Sequence, residues 1–207
     1  MTSPVPDVVL ELRERLSALY SGSDCAARPI PGDPTPGDPA APVAEPLTDE
    51  ERAEETQAKN ICLRLLADSA RPRAGLAQKL TQRGISPAAI ERVLDRFTEV
   101  GLIDDQAYAQ AYVRSKHQER SLSRWALRSE LRRKGLDDEV VEIAAEAVDP
   151  ATEEITATRL IQRRAAAARA AGPEAARRRL LALLDRRGYP AEMSIRVVDA
   201  VLARQDE

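Results

Sequence analysis

From Leu47 onward, apolar positions recur at the three- and four-residue intervals of a helix, and no stretch alternates strictly enough for a half-buried strand. Three segments carry the pattern in one ungapped frame: RAGLAQKLTQRGI (73–85), RWALRSELRRKGL (124–136) and RRRLLALLDRRGY (177–189). The frame is R-x2-L-x3-L-x2-(R/K)-G. It aligns Arg73 with Arg124 and Arg177, Leu76 with Leu127 and Leu180, Leu80 with Leu131 and Leu184, and Gly84 with Gly135 and Gly188. Leucines four apart lie on one helix face. The glycine falls where a helix ends in left-handed backbone, and the cation before it complements the carbonyl end of the helix. The apolar residue that follows (Ile85, Leu136, Tyr189) is placed to pack back on the last turn.

Each frame sits between two further helical patterns. Longer ones precede it, at about 49–68, 104–119 and 150–171, and Thr48 with Glu51 forms a capping-box pattern at the first of these. After each glycine come start signals, Ser86-Pro87, Asp137-Asp138 and Pro190-Ala191-Glu192, and then apolar stripes such as Ile90, Val93, Leu94 and Phe97. The unit is therefore three helices, repeated three times: residues 47–101, 102–149 and 150–207. A unit of about 50 residues buries little surface alone, so neighbours are expected to support one another. The fold class expected is all-α, with tandem three-helix units forming an elongated, curved body.

Residues 1–46 read differently. Positions 1–20 contain a short amphipathic pattern (Val5, Val8, Val9, Leu12, Leu16, Leu19), and 21–46 is a Pro/Gly/Asp-rich linker with almost nothing to bury. A disordered N-terminal arm is expected. The formal net charge of −3 conceals a division: residues 1–50 hold three Arg/Lys against nine Asp/Glu, whereas the remaining residues hold 28 against 25. The arm is expected to shield basic surfaces of the body at low salt. Two cysteines make no disulfide framework, and no apolar run reaches the roughly 20 residues of a bilayer span. A reduced, cytoplasmic location without membrane contact is expected.

Chemistry is hard to place in this chain. It has no phosphate loop, no G-x-G-x-x-G, no H-E-x-x-H and no C-x-x-C. Cys62, in ICLRLL, reads as a small buried hydrophobe. His117, the only histidine, reads as solvated within RSKHQER. No catalytic residue, metal or cofactor is expected. In GLIDDQAYAQAYV, Asp104 reads as a helix cap, Asp105 as a complement to the positive helix end, and Tyr108, Ala111 and Tyr112 as a face turned to the next unit.

Charge is more informative. Residues 114–134 hold eight Arg/Lys against two Glu, residues 159–187 hold nine Arg against two acids, and residues 137–154 hold eight acids and no Arg/Lys. Arg124, Arg128 and Arg132 recur every four residues as a cationic ridge, widened by Arg133 and Lys134, with Arg73 and Arg177 as repeat equivalents. Such a ridge suits phosphates or an acidic protein surface, unless intramolecular ion pairs consume it. Trp125, beside it, is expected to anchor in the core.

GLIDD-x2-Tyr-Ala followed by R-x3-ELRRKG resembles the signature region of the RecX family, small cytoplasmic regulators of the RecA recombinase. The residues that carry the resemblance are Leu102, Ile103, Asp104, Asp105, Tyr108, Ala109, Glu130, Leu131 and Gly135. It covers about residues 55–205 and leaves out the arm. It implies a partner of the RecA–single-stranded DNA filament that bridges recombinase subunits; the chain itself is expected to be a monomer. It further implies inhibition of their ATPase, strand-exchange and coprotease activities, in DNA repair and SOS regulation. Weak, salt-dependent contact with single- or double-stranded DNA is a further expectation. The alternative is a helix-turn-helix nucleic-acid-binding protein that works without recombinase. Against it stands the scarcity of Asn and Gln on the arginine-rich helices.

Overall fold

The computed structural model describes residues 47–170 and 172–203; the readings made for residues 1–46 lie outside them. The described residues form nine α-helices and no strand: α1 (Asp49–Asp68), α2 (Arg73–Thr81), α3 (Pro87–Glu99), α4 (Asp105–Arg120), α5 (Arg124–Arg133), α6 (Asp138–Glu146), α7 (Pro150–Arg169), α8 (Pro173–Asp185) and α9 (Ala191–Ala203). Among these residues no helix is long and apolar enough to cross a membrane.

Local chemistry sets the helix ends. Thr48 accepts the Glu51 amide, and Glu51 returns its carboxylate to the Thr48 N–H at 2.8 Å, completing the capping box. Ser86, Asp104, Ser123, Asp137 and Asp149 cap α3 to α7 in the same sense. The third unit departs from the frame. There α8 starts at Pro173, ahead of Arg177, because a proline fits the first helical turn; α2 and α5 start on Arg73 and Arg124 themselves.

The helices pack chiefly in consecutive threes. Ala58, Cys62, Leu76, Leu80, Ile90, Leu94 and Phe97 fill the first group. Ala109, Val113, Leu127, Leu131, Val141 and Ala144 fill the second. Ala157, Leu160, Ile161, Leu180, Leu184, Val197 and Val198 fill the third. All six frame leucines are buried. Cys62 is fully enclosed, and burial pushes its thiol up to about 11, which leaves it an inert packing group.

The frame glycines do what their position requires. Gly84, Gly135 and Gly188 have φ of 78°, 81° and 78°. The next residue's N–H turns back to the second frame leucine in each case: Ile85 to Leu80 O at 3.2 Å, Leu136 to Leu131 O at 3.3 Å and Tyr189 to Leu184 O at 3.1 Å. The three turns differ in what lies outside them. A Cβ at Gly84 would meet nothing within 4 Å, whereas one at Gly135 would lie 2.5 Å from the Ala74 Cβ. One at Gly188 would lie 2.8–2.9 Å from Ser123, Trp125 and Ala126. Each later turn thus seats on the start of the middle helix of the unit before it. Gly84→Ala is therefore expected to cost about 1–2 kcal/mol, from left-handed backbone alone. Gly135→Ala and Gly188→Ala are expected to cost about twice that, because a junction must also be prised apart. Urea unfolding of the three variants checks the order.

Candidate interaction surface

The ridge is the first surface to locate. Its four-residue spacing does put Arg124, Arg128 and Arg132 on one side of α5, but that side faces acids. Arg128 Nε donates to Glu142 at 2.7 Å. Arg132 donates to Asp138 at 2.7 Å and to Glu142 at 2.9 Å. Arg124 Nε lies 3.4 Å from Glu153, without hydrogen-bond geometry, and its backbone N–H donates to Glu153 at 2.8 Å. The repeat equivalents behave alike: Arg73 binds Glu91 at 2.5 Å and Asp95 at 2.8 Å, and Arg177 binds Asp199 at 2.7 and 3.0 Å. Asp95 and Asp199 occupy the same position relative to their arginines. In all three units the middle helix meets acids of the third helix, so most of the ridge is an internal ladder.

Arg133 and Lys134 stand apart from that ladder. Arg133 is 74% exposed and only 3.9 Å from Glu130 of its own helix. Lys134 Nζ lies 5.0 Å from the Tyr112 ring centroid and 6.0 Å from that of Tyr108, and the two rings stack 6.1 Å apart. Arg133, Lys134, Tyr108 and Gly135 form one wall of a crevice of about 610 Å³. Arg71, Pro72, Ala74 and Lys79 line the other wall.

The signature residues converge at this same place, the junction of the first and second units. Asp104 accepts the Ala107 N–H at 2.8 Å and starts α4. Its neighbour does more than complement α4. Asp105 reaches across to accept the Arg73 N–H at 2.8 Å, capping α2, whose own N-cap residue Pro72 offers no side-chain acceptor. Ile103, Ala109 and Leu131 are buried, and Leu102 packs against the first core. The Tyr112 hydroxyl donates to Glu130 at 2.6 Å, which explains the glutamate of the ELRRKG segment. Burial, with this bond and the Glu130 charge beside it, pushes the Tyr112 phenol well above its ordinary range. Tyr112→Phe is expected to cost about 1–2 kcal/mol by leaving Glu130 short of a donor, as urea unfolding would record.

The second junction repeats the device. Glu153 of α7 is only 4% exposed, and it caps α5 as Asp105 caps α2. Two corrections fall here. His117 is buried rather than solvated: its Nδ1 donates to Leu122 O at 2.9 Å, and its Nε2 accepts from the Thr156 hydroxyl at 2.9 Å. A carbonyl can only accept, which fixes this tautomer. Trp125 is not a core anchor; it is 66% exposed and lies across the Gly188 turn. The Tyr189 hydroxyl donates to Ser121 O at 3.1 Å, and the Ser123 N–H to Arg187 O at 3.0 Å.

Fold and surface together define a class: a tandem array of three-helix units, joined where an acid of one unit caps a helix of the unit before it. Within that class the chain belongs to the RecX family of regulatory proteins. Residues 58–97 match the family's first three-helix domain and residues 104–144 its second. The chain is 47% identical over 142 residues to the regulatory protein RecX of Thermobifida fusca, covering 69% of this chain and 77% of that one. It is 46% identical over 160 residues to the regulatory protein RecX of Mycolicibacterium smegmatis, covering 75% and 85%. The crystal structure of RecX from Lactobacillus salivarius superposes with a TM-score of 0.66 at 19% identity, over 72% of this chain and 97% of that one, which shows the shared fold.

Proposed function

We propose that this chain regulates the RecA recombinase by binding its filament on single-stranded DNA. The array bridges adjacent recombinase subunits and lowers their ATPase, strand-exchange and coprotease activities. The observation that carries this reading is that the residues resembling the RecX signature build one junction, with an open crevice and two cations outside the internal ladder, Arg133 and Lys134, at its wall. A rigid junction of that kind suits an acidic protein surface. Inhibition follows from differential binding: the chain must prefer one filament state, or hold neighbouring subunits in one arrangement, to oppose their ATP-driven rearrangement. No chemistry by the chain is required, and its place of action is the cytoplasm.

A helix-turn-helix duplex reader is less well supported. The arginines of α2, α5 and α8 that would enter a groove, Arg73, Arg128, Arg132 and Arg177, already hold carboxylates. The test is co-sedimentation with RecA filaments assembled on single-stranded DNA with a non-hydrolysable nucleotide. The chain is expected in the pellet, and Arg133→Glu with Lys134→Glu is expected to weaken binding by about tenfold or more. A chain that stays in the supernatant at all concentrations would remove this reading.

A further inference from the structure

Positive charge also lines a face of the first unit, close to the point where the chain enters the helical body. A crevice of about 310 Å³ takes Arg52 and Lys59 from α1 and Arg92 and Arg96 from α3. Glu55 is the one acid that lines it, and Arg92 holds that carboxylate. Arg52 and Arg96 reach only exposed acids of their own helices, Asp49 at 3.3 Å and Glu99 at 3.2 Å, and such pairs contribute little in water. Lys59 is exposed and, among the described residues, makes no ion pair. The buried Phe97 adds an apolar edge. Arg73, Arg128, Arg132 and Arg177 of the internal ladder each meet an acid of another helix; here four cations face one carboxylate.

The sequence immediately before α1 supplies what the crevice lacks. Residues 29–46 hold seven prolines, the acids Asp33, Asp38 and Glu45, and no Arg or Lys. Pro-Gly-Asp-Pro occurs twice, at 31–34 and 36–39, so its aspartate recurs after five residues. Proline fixes φ, which lowers the entropy lost when such a segment settles on a surface. Reach completes the match. Lys59 follows Asp49, the first residue of α1, by ten residues, or about 15 Å along the helix. Asp38 precedes Leu47 by nine residues and can extend roughly 30 Å from it. Tethering at that distance presents these acids to the crevice at a millimolar effective concentration.

We infer that the segment holding Asp33, Asp38 and Glu45 folds back along α1 and docks in the cationic crevice of the first unit, its carboxylates on Lys59, Arg52 and Arg96. The arm is then a strap across α1 and α3. It closes this face to other anions at low salt and releases it as salt screens the contact. The contact needs no recombinase.

The test treats the full chain at low salt with a carbodiimide, which joins a carboxylate directly to an amine in contact with it, and maps the products by mass spectrometry. The chain's four lysines, Lys59, Lys79, Lys116 and Lys134, compete for the acids of the arm. Amides joining Lys59 to Asp33, Asp38 or Glu45 within one chain are expected, at about fivefold or more over those to any other lysine. Mixing isotope-labelled with unlabelled chains distinguishes these from links between chains. Raising the salt to about 1 M, where charges are screened beyond roughly 3 Å, is expected to cut the yield severalfold. Arg52→Gln with Arg96→Gln leaves both reacting groups in place and is expected to cut it by about threefold or more. A second variant leaves the helical body untouched. With Asp33→Asn, Asp38→Asn and Glu45→Gln, the amides from Arg52 to Lys59 are expected to exchange about threefold or more faster than in the parent at low salt, and equally fast at high salt. Links spread evenly over the four lysines, links formed only between chains, a yield indifferent to salt or to the two arginines, or unchanged amide exchange would each overturn the inference.

Discussion

Glu153→Ala is expected to destabilise the protein by about 3 kcal/mol, more than any other single charge removal among the described residues. Glu153 is buried, accepts the first N–H of α5 at 2.8 Å and lies 3.4 Å from the Arg124 guanidinium. Alanine would strand both partners at once: a helix-terminal donor with no replacement and an arginine beside an empty space. Removing one partner of a buried ion pair costs about 3–5 kcal/mol, and the low end applies because Arg124 keeps 31% exposure and its guanidinium contact to Glu153 is not a hydrogen bond. Glu153→Gln keeps an acceptor for the backbone donor and is expected to cost about 1 kcal/mol. Urea unfolding of both variants makes the comparison. Equal, small losses would show that the cap across the junction contributes nothing.

Leu127→Ala carries the second large effect, about 2–5 kcal/mol. Its side chain is fully buried in the central core, and the central unit is the only one with a neighbour on either side. The expected loss therefore extends beyond one unit: amide exchange should accelerate in α1 to α9 together. Leu180→Ala removes the equivalent leucine from the third core and is expected to loosen α7 to α9 while leaving the slowest amides of α1 to α3 protected. Hydrogen exchange on the two variants separates a coupled array from three independent bundles.

The fold was legible in the chain because helix periodicity and end chemistry agree there. The frame leucines, the glycine turns with their returning N–H bonds, and the Thr48–Glu51 box all stand where the pattern puts them. Side-chain partners were less legible, because periodicity assigns a residue to a face and not to the neighbour opposite. Arg128 and Arg132 form a ridge in sequence, but the face they share looks onto Asp138 and Glu142 from the acidic segment immediately downstream. The polar flanks of His117 suggest a solvated residue, yet Ala109, Val113 and His117 continue one stripe at intervals of four, and all three are buried. Trp125 occupies the slot filled in the first unit by Ala74, which faces Gly135. Repeat equivalence therefore sets Trp125 on the surface turn of Gly188 and not in a core. The cap that Asp105 provides for α2 left no local trace, since it joins residues of two units.

The most direct measurement is RecA-catalysed ATP hydrolysis on single-stranded DNA, titrated with the full chain. The rate is expected to fall to a low plateau as the chain saturates the filament, and the chain alone is expected to hydrolyse no ATP. Glu153→Ala, with its second junction loosened, is expected to need a higher concentration for the same fall. A hydrolysis rate that stays level at saturating chain would contradict regulation of the recombinase by this array.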